Sequence, residues 1–283
     1  MRLTLCGVRG SSPASGSEFD RYGGHTSSVA VSSNGNAPRL ILDAGTGITR
    51  VPPLLDGEPF RGTILFGHLH WDHTQGLPFF TAGDNPSSKV TVRVPAQGDT
   101  EAVLSRMMSP PHFPITPSQL RGDWTFEGIE AGENVVEDLQ VHAIDIPHPG
   151  GRMLGYRITD GAGTFAYVSD HGPANAGPGP EGLGEYHPAI MELADGVDVL
   201  IHDAQYTVDE FAPRAHFGHS AVDYTVKLGL KSGAKKLLLF HHDPSHTDEQ
   251  VDQILAHCRR LAAGSTMEVV AAAEGSVLEV GGR

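Results

Sequence analysis

Thr63-Ile64-Leu65-Phe66-Gly67-His68-Leu69-His70-Trp71-Asp72-His73 is the stretch on which both fold and chemistry turn. Its apolar start reads as a buried strand, and a glycine ends it. Three histidines and a carboxylate then fall within six positions. His68 and His70 are two apart, so in extended backbone they point to the same side. Asp72 and His73 continue into what should be the first turn of a helix. Four ligand-type side chains on so tight a turn suit two metal ions better than one, because a single tetrahedral ion rarely takes all its ligands from so short a segment. A mere surface cluster of histidines is not expected directly behind a buried strand and between Gly67 and Gly76.

Two ions need further ligands. Cysteine does not supply them: Cys6 and Cys258 lie far apart without metal spacing and read as free thiols in a reducing compartment. Histidine is abundant, at 16, and clustered. His148 follows Ile144-Asp145-Ile146-Pro147, Asp170 follows Tyr167-Val168-Ser169, and His241 follows Leu237-Leu238-Leu239-Phe240. One histidine at a strand end is usually a packing or surface residue. Three such positions, each closing a strong strand in a chain that already holds the turn, point to ligation. In a layered fold one rim collects the loops and carries the site.

The 283 residues give ample material for a core, and apolar and charged contents of 39% and 19% are ordinary for a globular protein. No apolar run reaches the length of a membrane span. Met1-Arg2-Leu3-Thr4-Leu5-Cys6 reads as a strand, not a signal peptide, so a cytoplasmic location is expected. The net charge of −14 disfavours a general nucleic-acid surface, which needs Lys and Arg to displace phosphate counterions.

In each half of the chain strands come first and helices later, which fits two packed sheets with helices outside. Further strands are read at Val29–Val31 and Arg39–Asp43, with a hairpin turn at Asn34-Gly35-Asn36 between them. Others fall at Lys89–Val94, Leu139–Asp145, Leu154–Ile158, Phe165–Val168 and Val197–Ile201. A helix is expected from about Ser220 and another over Asp248–Leu261, with a final hairpin through Met267–Val270 and Val277–Val280. No linker divides the halves, so a single domain over 1–283 is expected. From about 79 to 122 the texture changes: a helix through Leu104, Met107 and Met108 runs into Pro110-Pro111-His112-Phe113-Pro114. This segment reads as a lid-like insertion or partner surface, or else as an apolar surface connection.

Asp43 behind a strand, His68-x-His70-x-Asp72-His73, then His148, Asp170 and His241 in order resemble the metallo-β-lactamase superfamily. The resemblance spans nearly the whole chain. The ordered set is far more specific than the histidine turn alone. It implies an αββα sandwich in the α/β class. It implies that His68, His70 and His148 hold one divalent ion, that Asp72, His73 and His241 hold a second, and that Asp170 bridges them. Asp43 would hydrogen-bond the loop that carries the ligands. Either histidine of His241-His242-Asp243-Pro244 could be the last ligand; His241, directly after the strand, aligns best. His and carboxylate ligands suit Zn, Mn and Fe, with zinc the default and manganese next.

Ile201-His202-Asp203-Ala204-Gln205-Tyr206 resembles the His-Glu-Ala-Thr segment of the tRNase Z and phosphodiesterase branch, with Asp203 in place of Glu. His216-Phe217-Gly218-His219-Ser220 resembles its Gly-His-Ser/Thr segment. The resemblance implies that His219 reaches the scissile phosphate and that Asp203 orients it, with Asp72 the third catalytic candidate. His202 reads as structural; His171 could face the pocket or hold a loop. The Gly-x-Arg-Gly-Ser and Tyr-Gly-Gly-His-Thr-Ser-Ser segments are similar to those of cyclic-phosphate phosphodiesterases, where His25 often corresponds to Asn. A long basic Gly/Pro-rich arm of the kind that grips tRNA is not seen. The expectation is therefore a dinuclear phosphodiesterase acting on a small phosphodiester, a cyclic nucleotide or cyclic phosphate, without tRNA, DNA or membrane partners. A homodimer is implied by the family alone. The competing expectations are hydrolysis of a lactone or thioester on the same metals, and a non-hydrolytic di-iron sensor.

Overall fold

The computed structural model describes residues 1–33 and 35–281. The first half contributes β1 (Arg2–Gly7), β2 (Ser28–Ser32), β3 (Leu40–Leu42), β4 (Arg61–Leu65), α1 (Trp71–Thr74), β5 (Lys89–Pro95), α2 (Thr100–Ser105) and β6 (Asp123–Ile129). The second contributes β7 (Gly132–Val136), β8 (Leu139–Asp145), β9 (Leu154–Thr159), β10 (Thr164–Val168), α3 (Pro188–Ala194), β11 (Val199–Asp203), α4 (Val208–Arg214), α5 (Val222–Ser232), β12 (Lys236–Phe240), α6 (Asp248–Leu261), β13 (Glu268–Ala271) and β14 (Val277–Glu279).

Two seven-stranded sheets result, ordered β14-β1-β2-β3-β4-β5-β6 and β13-β12-β11-β10-β9-β8-β7. Each mixes parallel pairs, β3 to β6 in one and β10 to β13 in the other, with antiparallel pairs elsewhere. The inner faces meet in one cluster that includes Leu5, Leu65, Tyr156, Tyr167, Ile201, Leu238 and Phe240. Ile190, Val226, Ile254 and Cys258 of α3, α5 and α6 cover the outer face of the second sheet. The first sheet's outer face, with Ile41, Ile64 and Val92, is covered more thinly by Ile48, Leu77, Phe80 and Leu104 from short turns and α2. This is the αββα sandwich. The near-continuous apolar runs of β10, β11 and β12 follow from burial on both faces. Among the described residues, no helix is long and apolar enough to cross a membrane.

α6 shows how local chemistry sets an element. Thr247 and Gln250 form a capping box, Asp248 and Glu249 occupy the first turn, and Arg259 and Arg260 the last. Val251, Ile254 and Cys258 form its buried stripe.

Some expectations need correction. The final two strands are not a hairpin: β13 adds parallel to β12, whereas β14 crosses to pair antiparallel with β1. Each thereby covers a sheet edge that a local hairpin would leave open. β6, β7 and α4 escaped the sequence pattern because they are edge or peripheral elements with few buried positions. The helix after β5 ends at Ser105, with Met107 and Met108 beyond it. β2 and β3 pair antiparallel as expected, though Asn34 of the expected turn lies outside the described residues. β5, within the segment expected to form an insertion, lies inside the first sheet between β4 and β6.

Candidate metal centre

The C-terminal ends of β3, β4, β8, β10, β11 and β12 share one rim, and every expected ligand sits there. His68 and His70 leave β4 in extended backbone with their rings 4.4 Å apart, on the same side as the spacing requires. His70 precedes α1, and Asp72 and His73 lie in its single turn. The turn is stitched to the end of β3: the Ala44 amide donates to the His73 carbonyl at 2.7 Å, and the Gly76 amide to the Ala44 carbonyl at 2.9 Å. Asp43 ties the two together. Its Oδ1 accepts the Gly67 amide at 2.8 Å, and its Oδ2 lies 2.8 Å from His73 Nδ1 and accepts the Tyr167 hydroxyl at 2.7 Å.

Three groups of ligand atoms converge, each with all atoms within 4.8 Å of one another: His68, His70, His148 and Asp170; Asp72, His73, Asp170 and His241; and Asp203, His219 and His241. Asp170 belongs to the first two. Its Oδ1 lies 3.0 Å from His73 Nε2 and 3.4 Å from His241 Nε2, and its Oδ2 3.7 Å from His68 Nε2 and 3.8 Å from His148 Nε2. His241 Nε2 is also 3.0 Å from Asp72 Oδ2.

The far side of three rings fixes the tautomers. His148 Nδ1 donates to the Gly218 carbonyl at 2.9 Å, His73 Nδ1 faces Asp43, and His241 Nδ1 lies 2.9 Å from Gln205 Oε1. A neutral ring that donates on one side leaves the other nitrogen as a lone pair aimed at the cluster. His148 is in that state. For His73 and His241 burial is outweighed by Asp72 and Asp170, which raise both above the usual imidazole range, so an ion would displace a proton from each of those two rings. Burial pushes His148 down to about 4, so its ring is neutral at neutral pH. Burial also lowers His68. Burial works to raise the carboxyls of Asp72 and Asp170, but the facing imidazoles of His73 and His241 outweigh it and hold both well below the usual carboxylate range.

These residues fit divalent cations. Both ring nitrogens of His68, Nε2 of His73 and both carboxylate oxygens of Asp170 are buried without a hydrogen-bond partner among the described residues. An orphaned buried polar group costs about 1–3 kcal/mol. Cations at the two foci would give bonds to His68 Nε2, His73 Nε2 and both Asp170 oxygens, leaving only His68 Nδ1 of these atoms unmatched. The donor set of imidazoles and carboxylates suits zinc, manganese or iron alike.

Of the last histidine pair, His241 points into the cluster, whereas His242 points away and its Nε2 donates to the Ala272 carbonyl at 2.9 Å. Gly10 is required beside His241: a Cβ there would fall 2.2 Å from Nδ1.

Next to the cluster, His219 Nδ1 lies 3.1 Å from Asp203 Oδ2, and both side chains are buried. Asp203 is held in turn by the amides of His171 and Gln205, each at 3.0 Å. His202 is fully buried, with Nδ1 2.7 Å from the Asp203 carbonyl and 3.3 Å from the Thr225 hydroxyl, and so is structural. His171, also fully buried, faces His202 at 3.2 Å. His25 stands apart from the cluster, paired with Glu274 at 3.0 Å.

A cleft of about 820 Å³ opens over the centre, lined by Ser11, His70, Trp71, Asp72, Asp170, Gln205, Tyr206, Arg214, Phe217 and His219, among others. Sequence reasoning missed several of these. The Ser11 amide donates to Asp72 Oδ2 at 2.7 Å, and Gln205 bridges His241 and the Ser11 hydroxyl, the latter at 3.1 Å. Beside His68 and His70, a smaller cavity of about 220 Å³ is lined by Arg106 and Met107 from the segment after α2.

Such a rim on two packed sheets defines a metallo-β-lactamase-fold hydrolase. A family model described as "Beta-lactamase superfamily domain" matches residues 39–242, and the chain belongs to that superfamily. The chain is 28% identical over 235 residues to ribonuclease Z of Exiguobacterium sibiricum, covering 66% of this chain and 73% of that protein. The metallo-beta-lactamase fold protein YhfI from Bacillus subtilis superposes with a TM-score of 0.69 at 17% identity, covering 98% of both chains. A diphosphatase from the PhnP family does so with a TM-score of 0.69 at 18% identity, covering 98% of this chain and 97% of that one.

Proposed function

We propose that the protein is a single-domain, dinuclear metal-dependent phosphodiesterase acting on a small phosphodiester, a cyclic nucleotide or cyclic phosphate. The observation that carries this is the buried Asp203–His219 pair, set beside both ligand groups and opening onto the same cleft. In a phosphodiesterase that pair has a role, because the leaving oxygen needs a proton and the phosphoryl group gathers charge. A carbonyl substrate would need the same proton, and it is the likeness to a protein named ribonuclease Z that favours phosphorus.

His68, His70 and His148 would hold one ion, Asp72, His73 and His241 the other, and Asp170 would bridge them. Zinc is the first expectation and manganese the second. Such ions supply Lewis acidity toward phosphoryl oxygens and lower the pKa of water toward neutrality. The remaining steps belong to the chain. Asp72 lines the cleft, so its carboxylate can take up the nucleophile's proton as well as bind an ion. The Ser11 amide fixes that carboxylate's orientation. Asp203 holds His219 by Nδ1, leaving Nε2 as the ring atom that meets substrate. There it stabilises the charged phosphorus centre or donates a proton to the leaving oxygen.

The relative named ribonuclease Z favours a second reading, an RNA substrate. Against it stand the net charge of −14 and the cleft wall, where among the described residues Arg214 is the one Lys or Arg and already pairs with Asp243 at 3.4 Å. The test is turnover of bis(p-nitrophenyl) phosphate and a panel of cyclic nucleotides by metal-loaded protein, beside a tRNA precursor. Hydrolysis of the small diesters is expected. Cleavage of the precursor alone would favour RNA, and hydrolysis of lactones or thioesters alone would overturn the phosphodiesterase.

A further inference from the structure

Among the large hydrophobic residues the chain exposes, two border the cleft: Trp71, 76% exposed, and Phe217, 54% exposed. Scattered exposed apolar side chains need no explanation, but two aromatics on the wall of one cleft do. Each is pinned by the machinery beside it. Trp71 stands between His70 and Asp72 on the single turn of α1. Phe217 is followed by Gly218, whose carbonyl holds His148, and then by His219. Asp72, next to Trp71, and Gly218, next to Phe217, are buried, so each ring stands on backbone anchored on one side and less freedom is lost when a ligand covers it.

The rest of the wall is mixed, with Ser11, Gln205 and Ser245 beside Leu69, Tyr206 and Pro244. The Arg214 guanidinium lies over the Tyr206 ring at 5.4 Å, held from its far side by Asp243. An alkyl or acyl chain is sheltered best by a closed apolar groove. A heteroaromatic base needs a flat π face and polar groups near its edge, and tolerates water around it.

We propose that Trp71 and Phe217 form the contact surface for a nucleobase, so that the diester turned over at this centre is a nucleotide and not a base-free sugar phosphate. This deepens the phosphodiesterase assignment and rests on it for the chemistry, but not for the binding. Both residues are specificity determinants, since they touch the base and not the reacting atoms.

The test reads binding and turnover separately. Trp71 is one of two tryptophans, so a Trp124→Phe background isolates its emission. In metal-loaded protein, AMP should quench that emission and ribose 5-phosphate should not. With 2′,3′-cyclic AMP as substrate, Trp71→Ala should raise KM about 10-fold or more with little change in kcat, by the usual worth of one base stack. Trp71→Phe, which keeps a ring, should recover most of the loss, and Phe217→Ala should show a smaller rise. Emission indifferent to AMP, or quenched equally by ribose 5-phosphate, would overturn the base contact, as would an unchanged KM in Trp71→Ala. If bis(p-nitrophenyl) phosphate is still hydrolysed, those results leave the phosphodiesterase standing. Quenching by AMP without turnover of any diester would instead sink the phosphodiesterase and leave nucleotide binding.

Discussion

Asp170 is common to two ligand groups that differ in charge and in restraint. The group of His68, His70 and His148 adds three neutral rings to that one carboxylate. His70 is half-buried and faces the cleft, and His68 has no hydrogen-bond partner on either ring nitrogen among the described residues. The group of Asp72, His73 and His241 brings a second carboxylate. Here both rings are tethered, by Asp43 and Gln205, and Asp72 is fixed by the Ser11 amide. With its two rings deprotonated, as ligation requires, the second group is the more anionic, and it is the better preorganised. A cation should be held longer there, while the first group, looser and nearer solvent, should exchange its ion first.

The largest effect should come from the residue that spans the comparison. Asp170→Ala should abolish turnover and reduce bound metal to at most one ion per chain, as mass spectrometry of the metals would show. Near-full activity in a metal-replete variant would refute bridging. Next is His219→Ala, which should leave both groups loaded yet slow phosphodiester turnover by about 10²–10⁴-fold. Unchanged turnover would place His219 outside the chemistry and return the carbonyl alternative. Asp43→Asn keeps the shape and tolerates the left-handed backbone at φ 58°, but removes the charge behind His73. It should weaken metal affinity by about 10–100-fold chiefly in the group of Asp72, His73 and His241, since the Gly67 amide can still be accepted by the amide oxygen. Gln205→Leu should act in the same group through His241, toward the lower end of that range of about 10–100-fold. If either variant empties the group of His68, His70 and His148 instead, where only the His148 ring is tethered, the contrast between the two groups is wrong.

Much of this contrast was readable before any coordinates. The His68–His73 turn places its ligands by strand and helix spacing alone. His148, Asp170 and His241 each close an apolar run, so their place on the rim followed once the strands were recognised. Apart from Asp43, what tethers them was not readable. Gln205 and His241 are 36 residues apart, and Ser11 and Asp72 are 61 apart, so no local pattern joins them. Trp71 and Phe217 look like ordinary core residues until exposure is known. The fold shows the same division. Strands buried on both faces announced themselves, whereas edge strands β6 and β7 did not. The assumed last hairpin failed because adjacency along the chain was favoured over the open edges of β1 and β12.

The most direct test of the central claim is the count of metal ions. After saturation with zinc or manganese and removal of loosely bound ions, the protein should retain two per chain. A limiting chelator should take one ion ahead of the other, and diester turnover should fall with that first loss. A single retained ion, or none, with full phosphodiester turnover would contradict the dinuclear centre.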